Sequence, residues 1–465
     1  MQESHQALSW GSNVRFLSHA NQVALVDLRR GCFIKLHSDA KNLIDLKLQG
    51  GSAALQAQTS HEERINLCRL MKRLQQDGYL VAVASQGEAR KSQPFTLNLD
   101  DYRRRPKTAY YSASDRCNLS CSFCYVSPKR CDAPYDGDTD LAIRILDSLA
   151  SLNVRHLVFS GGEPLLRGDI TELIAHAKLL GMVPTMTTNG TLLNSTIAKR
   201  LVSAGLEQAQ ISIESASEDE HDALRGPGSY RKSVDAVHNL AAAGLSEDEI
   251  YVAATTTRSS LKTIASYWEF AKSIGATPSF SFYQPVGKAL QTKRQHESSE
   301  AAQLQFMHDR IAHAKTNYEQ EHSCCDTGGN CIFSTKIVNS CSMGFTTIAV
   351  KEDGEVVPCH LFLSERGFGI GNVLNPDIAE RIVSFLNDLP TVDSINGCHK
   401  CQVRYFCGNG CWANTYWKYG TFRHKNPYCG FYQKFWSAMI WNLGAEDEVE
   451  AIMRDLKEGI EEAAF

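Results

Sequence analysis

The chain has 465 residues, 43% of them hydrophobic, and a net charge of -4 with acids and bases interleaved, so it can bury a large core in more than one domain. This balance excludes the basic footprint of a nucleic-acid binder. No apolar run approaches the roughly 20 residues of a membrane span, and the N-terminus lacks a basic and an apolar signal region, so a cytoplasmic protein with no membrane partner is expected.

Residues 1–95 read as a small separate domain. Strand-like runs at 13–18, 22–27 and 32–36 are joined by tight polar links. A helix over 38–49 carries Leu43, Ile44, Leu46 and Leu48 and stops at Gly50-Gly51. Ser60 with Glu63 forms a capping box for a second helix bearing Ile65, Leu67, Leu70, Met71 and Leu74. Asp77-Gly78 ends it, and one more strand follows at 79–83. Three strands followed by helices resembles the recognition element of enzymes that mature ribosomally made peptides (RiPPs), a winged-helix-like domain similar to the pyrroloquinoline-quinone peptide chaperone. The resemblance implies capture of a leader peptide as an added strand; a structural cap is the plainer alternative. Residues 86–107 read as a linker, with Arg103-Arg-Arg105 as a solvated charge run.

Sixteen cysteines in a long chain without a signal point to metal binding more than to disulfides. Cys117, Cys121 and Cys124 form a C-x3-C-x2-C triplet after an apolar run. Three thiolates on a four-iron cluster leave one iron open to a chelating small molecule. Downstream come Gly161-Gly162-Glu163-Pro164, then Thr187-Thr188-Asn189-Gly190, Ser212-Ile-Glu214, and His221-Asp222-Ala-Leu-Arg225-Gly226. Together with Phe123 and Tyr125 beside the last cysteine, these resemble the signature of the radical S-adenosylmethionine (radical SAM) superfamily. The resemblance implies that Phe123 lies near the adenine and that the GGEP segment, with Glu163 as acceptor, binds the SAM amino group. It also implies that Ser212 and Glu214 meet the ribose, and that Arg225 pairs with the SAM carboxylate.

Six strand-like runs, at 109–114, 154–160, 182–188, 207–213, 250–256 and 278–283, alternate with helical stretches. Such βα repeats predict an α/β fold with a parallel sheet, and the resemblance makes it a partial (β/α)6 barrel over 96–310. The motifs fall at strand ends, where barrels of this kind carry their chemistry.

Residues 311–440 are cysteine-rich: Cys341-x12-Gly354-x4-Cys359, then Cys398-x2-Cys401-x5-Cys407-x3-Cys411-x17-Cys429. Cys398-x2-Cys401 alone would suit zinc. The whole set resembles the SPASM domain, which implies two auxiliary [4Fe–4S] clusters and three clusters in all. By that resemblance Cys398, Cys401, Cys407 and Cys429 hold the outer cluster, and Cys341, Cys359 and Cys411 the inner one. Cys331 is the nearest candidate for a fourth inner ligand; an open iron is the alternative. His360, next to Cys359, stands where some such enzymes have a functional acid, and is either a proton acceptor or a partner of the cluster. Residues 441–465 form a tail with a surface helix.

The resemblance implies a radical SAM peptide maturase that takes a hydrogen atom from a precursor peptide and installs a carbon–carbon, ether or thioether crosslink. An external one-electron donor such as flavodoxin or ferredoxin would feed it. Sulfatase-maturing-type protein modification and peptide epimerisation are alternatives. A non-catalytic iron–sulfur electron-transfer protein is the rival of a different class, and it would need no SAM site.

Overall fold

The computed structural model describes residues 8–28, 30–82, 97–105, 107–126, 128–131, 137–260, 264–317, 341–365, 367–445 and 447–464. Cys331, with Cys324 and Cys325, lies outside them.

Six parallel strands form the barrel: Lys107–Ser114, Val154–Gly161, Val183–Thr188, Gln208–Ser212, Ile250–Thr256 and Thr277–Phe282, in that spatial order. Helices such as Thr139–Ser151, Ile170–Leu179, Ser195–Ser203 and Ser229–Ala243 cover the outside. Helix Thr139–Ser151 shows why. Asp138 caps it by accepting from the Leu141 amide at 2.9 Å, and Ala142, Ile145, Leu146 and Leu149 recur on one face, all buried against the sheet.

The sheet does not stop at the first barrel strand. Thr347–Val350, from the cysteine-rich region, pairs parallel to Lys107–Ser114, with Ile348 opposite Ala109 and Val350 opposite Tyr111. Glu355–Val357 and Gly371–Asn372 continue the sheet antiparallel. The C-terminal region is thus built onto the barrel edge, and the loop after Val350 opens onto the same face as the other parallel strand ends.

The N-terminal domain has the three expected strands, Val14–His19, Gln22–Asp27 and Cys32–His37, in an antiparallel meander, and the capping box at Ser60. Helix Ser52–Gln58 and strand Leu8–Trp10, which pairs with Leu80–Ala82, were not expected. Both faces of the sheet are covered. Val14, Val23 and Leu25 pack on the domain's own helices, whereas Leu17, Ala24 and Val26 join a core with Phe406, Trp412 and Trp441. Lys35 donates to the Trp441 carbonyl at 3.2 Å, and His19 stacks on Trp441 at 5.2 Å. The domain is seated on the cysteine-rich region.

Two expectations change. Part of the expected linker is a helix, Leu99–Arg104, that buries Tyr102, while Arg103 and Arg104 on it stay exposed as expected, Arg103 pairing with Glu380 at 3.1 Å. The tail helix, Glu448–Ala463, lays Ile452 and Leu456 against helices Glu300–Asn317 and Cys429–Asn442 as part of a core. Among the described residues no helix is long and apolar enough to cross a membrane.

Candidate functional site

The triplet lies in the loop that leaves the first barrel strand. The loop closes on itself where Arg116–Cys117 pairs with Lys129–Arg130 and the Cys131 amide donates to the Cys117 carbonyl at 2.9 Å. Its middle is held from two sides. The Ser122 amide donates to the Leu224 carbonyl at 3.0 Å, and the Ser122 hydroxyl meets His296 Nε2 at 3.1 Å. Thr292 donates to the Ser122 carbonyl at 2.9 Å. Cys117 is buried, while Cys121 and Cys124 are half-buried.

The GGEP segment follows the second strand. The Gly162 amide donates to the Ser114 carbonyl at 2.8 Å and the Glu163 amide to the Arg116 carbonyl at 2.7 Å. Gly161 sits at φ +119°, and a Cβ there would run into the Ser114 carbonyl, so glycine is required. Pro164 opens a short 3-10 turn.

Glu163 follows the two glycines. It is fully buried and accepts from the Thr188 hydroxyl at 2.6 Å, the Asn189 amide at 2.8 Å and the Leu165 amide at 3.1 Å. Burial pushes its carboxyl above the usual range, and these bonds pull against that shift. The side chain fastens the second strand end to the third. Asn189 reaches Asn118 in the cysteine loop at 2.9 Å.

Ser212 ends the fourth strand. Glu214, just beyond it, is buried and ion-paired with Arg225 at 2.6 Å, and it also accepts from the Thr255 amide at 2.7 Å. Burial works against the Arg225 charge, but Glu214 outweighs it and holds the guanidinium pKa above its ordinary value. The same guanidinium lies 5.4 Å from the Phe123 ring centroid and 3.9 Å from Cys121 Sγ. Phe123, Glu214 and Arg225 are therefore one unit beside the triplet. His221 supports it: its Nδ1 accepts from the Glu214 amide at 3.1 Å, and burial lowers its pKa to about 4, so the ring is neutral.

Tyr125 is not part of that unit. It packs on the core of the cysteine-rich region, its ring 5.7 Å from His360. His360 also meets Tyr110 of the first barrel strand at 4.6 Å. Burial lowers the imidazole pKa to about 4, and Nδ1 has no hydrogen-bond partner among the described residues. His360 thus stands between the triplet loop and the inner thiols. At Gly287, φ +56°, three segments cross: an added Cβ would strike the Tyr125 carbonyl and the Ser364 hydroxyl.

The C-terminal thiols fall into two groups. Cys398, Cys401, Cys407 and Cys429 line one cavity of about 180 Å³. Burial raises the thiol pKa of Cys341, Cys359 and Cys411, Cys341 and Cys411 raise that of Cys359 further, and all three pack against the core that holds Trp412. Among the described residues no three His, Cys, Asp or Glu side chains converge tightly enough for a single metal ion. Zinc at about 2.3 Å from each sulfur would draw the thiolates together; four thiols spread around a cavity fit a larger cluster better.

A second cavity, about 930 Å³, opens at the strand ends. Pro128 and Lys129 come to it from the triplet loop, Lys288 and Gln291 from beyond the sixth strand, Glu352 from the loop after Val350, and Glu365 from the turn that follows Cys359. Its Lys288, Glu352 and Glu365, like His296 at the triplet, belong to no recognisable motif; only the fold brings them to the mouth.

Three thiols, a glycine cradle and an arginine–aromatic pair stand at the strand ends of a parallel barrel, and residues 111–267 match the family model described as the Radical SAM superfamily. The chain is 26% identical over 355 residues to the AdoMet-dependent heme synthase of Nitratidesulfovibrio vulgaris, covering 72% of this chain and 94% of that one. It is 26% identical over 318 residues to the mycofactocin maturase MftC of Mycobacterium ulcerans, covering 67% and 85%. Among solved structures, SuiB of Streptococcus suis bound to its precursor peptide SuiA aligns with a TM-score of 0.55 at 16% identity, covering 91% of this chain and 99% of that one. Residues 96–465 alone cannot supply that share, so the shared fold extends into the N-terminal domain.

Proposed function

We propose that the protein is a radical SAM peptide maturase. When bound, S-adenosylmethionine and a [4Fe–4S] cluster supply a carbon radical by one-electron cleavage. Cys117, Cys121 and Cys124 hold the cluster. The GGEP segment meets the SAM amino group, Arg225 the carboxylate and Phe123 the adenine, while Ser212 with Glu214 faces the ribose. The outer thiols, Cys398, Cys401, Cys407 and Cys429, and the inner thiols, Cys341, Cys359 and Cys411, hold two further clusters.

The observation that carries the reading is the mouth cavity. It joins the segment after the triplet to the segment after Cys359, and its size suits a stretch of peptide between the radical site and the inner thiols. Its lining sets Lys288, Gln291, Glu352 and Glu365 beside the apolar Val126, Leu363 and Trp417, a mixture that suits peptide amides and side chains of both kinds. In this reading His360, which adjoins Tyr125 behind the cavity wall, is the proton acceptor or a partner of the inner cluster. Both outer strands of the N-terminal sheet, Val14–His19 and Cys32–His37, leave an edge unpaired among the described residues, where a leader can add as a strand. The product is a side-chain crosslink, and flavodoxin or ferredoxin supplies electrons.

A tetrapyrrole substrate is the second reading, favoured by equal identity to the heme synthases. Mass spectrometry after anaerobic turnover separates the two. A leader-bearing precursor peptide losing two hydrogens supports crosslinking; unchanged mass with deuterium taken up from solvent means epimerisation. An untouched peptide beside a converted iron porphyrin would remove the peptide reading.

A further inference from the structure

The chain as a whole is acidic, yet from residue 390 to residue 430 five Lys and Arg stand against one acid, Asp393. Asp393 is paired with Arg404 at 3.0 Å. That leaves Lys400, Lys418, Arg423 and Lys425, all exposed. Lys400 and Lys425 line the rim of the cavity that holds the four outer thiols. Tyr419, 40% exposed, stacks on His424 at 4.7 Å, which brings Lys418 beside Arg423 and Lys425. Cys429 feels one further acid, Glu300, which is itself paired with Lys434 at 3.1 Å. Lys400 and Lys425, the latter bonded to Cys429, thus stand at the rim of a thiol-lined cavity, and the adjoining stretch adds Lys418, Arg423 and an exposed aromatic with no acid among them.

We propose that this face docks an acidic one-electron carrier protein, which exchanges electrons with the protein through the outer site. The proposal rests on the iron–sulfur reading of these four thiols. Electron transfer needs close approach: the inner thiols pack against the core that holds Trp412, whereas the outer thiols line a cavity with exposed lysines at its rim. The lysines and Arg423 attract an acidic partner and orient it over the opening. Cys398, Cys401, Cys407 and Cys429 would hold a cluster able to give one electron to the oxidised carrier, and the exchange would change no covalent bond.

The test uses the full chain with its clusters and oxidised flavodoxin as the acidic probe. Association should slow by on the order of tenfold between low and physiological salt. The Lys400→Glu/Arg423→Glu double variant should lose on the order of tenfold or more in association rate at low salt, with iron content unchanged. After reduction, the outer cluster's paramagnetic resonance signal should decay more slowly on adding flavodoxin to the variant, and at the wild-type rate with a small neutral oxidant. Cytochrome c, a basic carrier, should not bind. Equal flavodoxin rates for a loaded wild type and variant overturn the docking face alone. So does tight, salt-sensitive capture of a single-stranded oligonucleotide that flavodoxin fails to displace. An outer site that carries no iron is seen before any carrier is added, and it overturns the cluster reading and the proposal together.

Discussion

Tyr428 donates its phenol hydrogen to Glu297 across 2.5 Å. Each belongs to a different site: Tyr428 precedes the outer thiol Cys429, and Glu297 follows His296, which holds Ser122 between Cys121 and Cys124. The turn Thr292–Glu297 is therefore a strut between the triplet loop and the outer thiols. Tyr428→Phe removes one bond and little volume. The expected result is a cost of about 1–3 kcal/mol to the local structure and an altered resonance spectrum of the SAM-site cluster. An unchanged spectrum in Tyr428→Phe and in His296→Gln would show that the strut does not reach the radical site.

Replacing Cys117, Cys121 and Cys124 by Ala should reduce the iron in reconstituted protein from about twelve atoms to about eight. SAM cleavage should vanish. Continued 5′-deoxyadenosine formation in that variant would place the radical site elsewhere.

Gly287→Ala is expected to damage the junction of barrel and cysteine-rich region. The added Cβ strikes backbone at Tyr125, and φ +56° disfavours any side chain. Overpacking and strain together should cost about 2–4 kcal/mol, read as a lower apparent melting temperature and a lower yield of modified peptide. Gly367, also at positive φ but with open space around it, is the control.

Arg167 is buried and paired with Asp169 at 2.6 Å, and it also donates to the Ala113 carbonyl at 3.2 Å, tying the first strand end to the turn after GGEP. Burial raises the Asp169 carboxyl pKa, but the bonds from Arg167 and Thr139 win and hold it below the usual range. A carboxyl depressed in the folded state stabilises the protein above its unfolded pKa, about 3.9, and that contribution fades as pH falls through the folded value. Asp169→Asn should therefore cost about 3 kcal/mol at neutral pH by removing the carboxylate charge beside a buried guanidinium. The gap in apparent melting temperature from wild type should narrow below about pH 4. A gap that stayed constant to low pH would mean the pair is not the source.

Leu17, 2% exposed, belongs to the core shared with Phe406 and Trp441. Leu17→Asp should undock the N-terminal domain, seen as faster proteolysis between the domains and a loss of peptide modification larger than the loss of SAM cleavage. Removing residues 1–95 outright should in addition expose Phe406 and Trp441 and lower solubility. Equal loss of both activities in Leu17→Asp would point to a structural cap.

All six barrel strands were legible within two residues, because burial on a parallel sheet writes short β-rich runs and βα alternation writes the rest. The triplet and the GGEP, TTNG and Arg225 segments stood out in the sequence because each is a short stretch of fixed spacing, and the fold brings them to the strand ends. What the sequence did not carry were choices that depend on which surfaces meet. The bonds that Glu163 accepts from Thr188 and Asn189 are one such choice. The same holds for Tyr125, beside the triplet in sequence yet facing His360, and for Thr347–Val350, which joins the barrel 239 residues from its partner Thr108. A motif is local because it is made by one stretch of backbone. The docking of the N-terminal sheet, the strut at Glu297 and the mouth of the barrel are made by segments far apart, and close packing of the folded chain alone decides which of them touch.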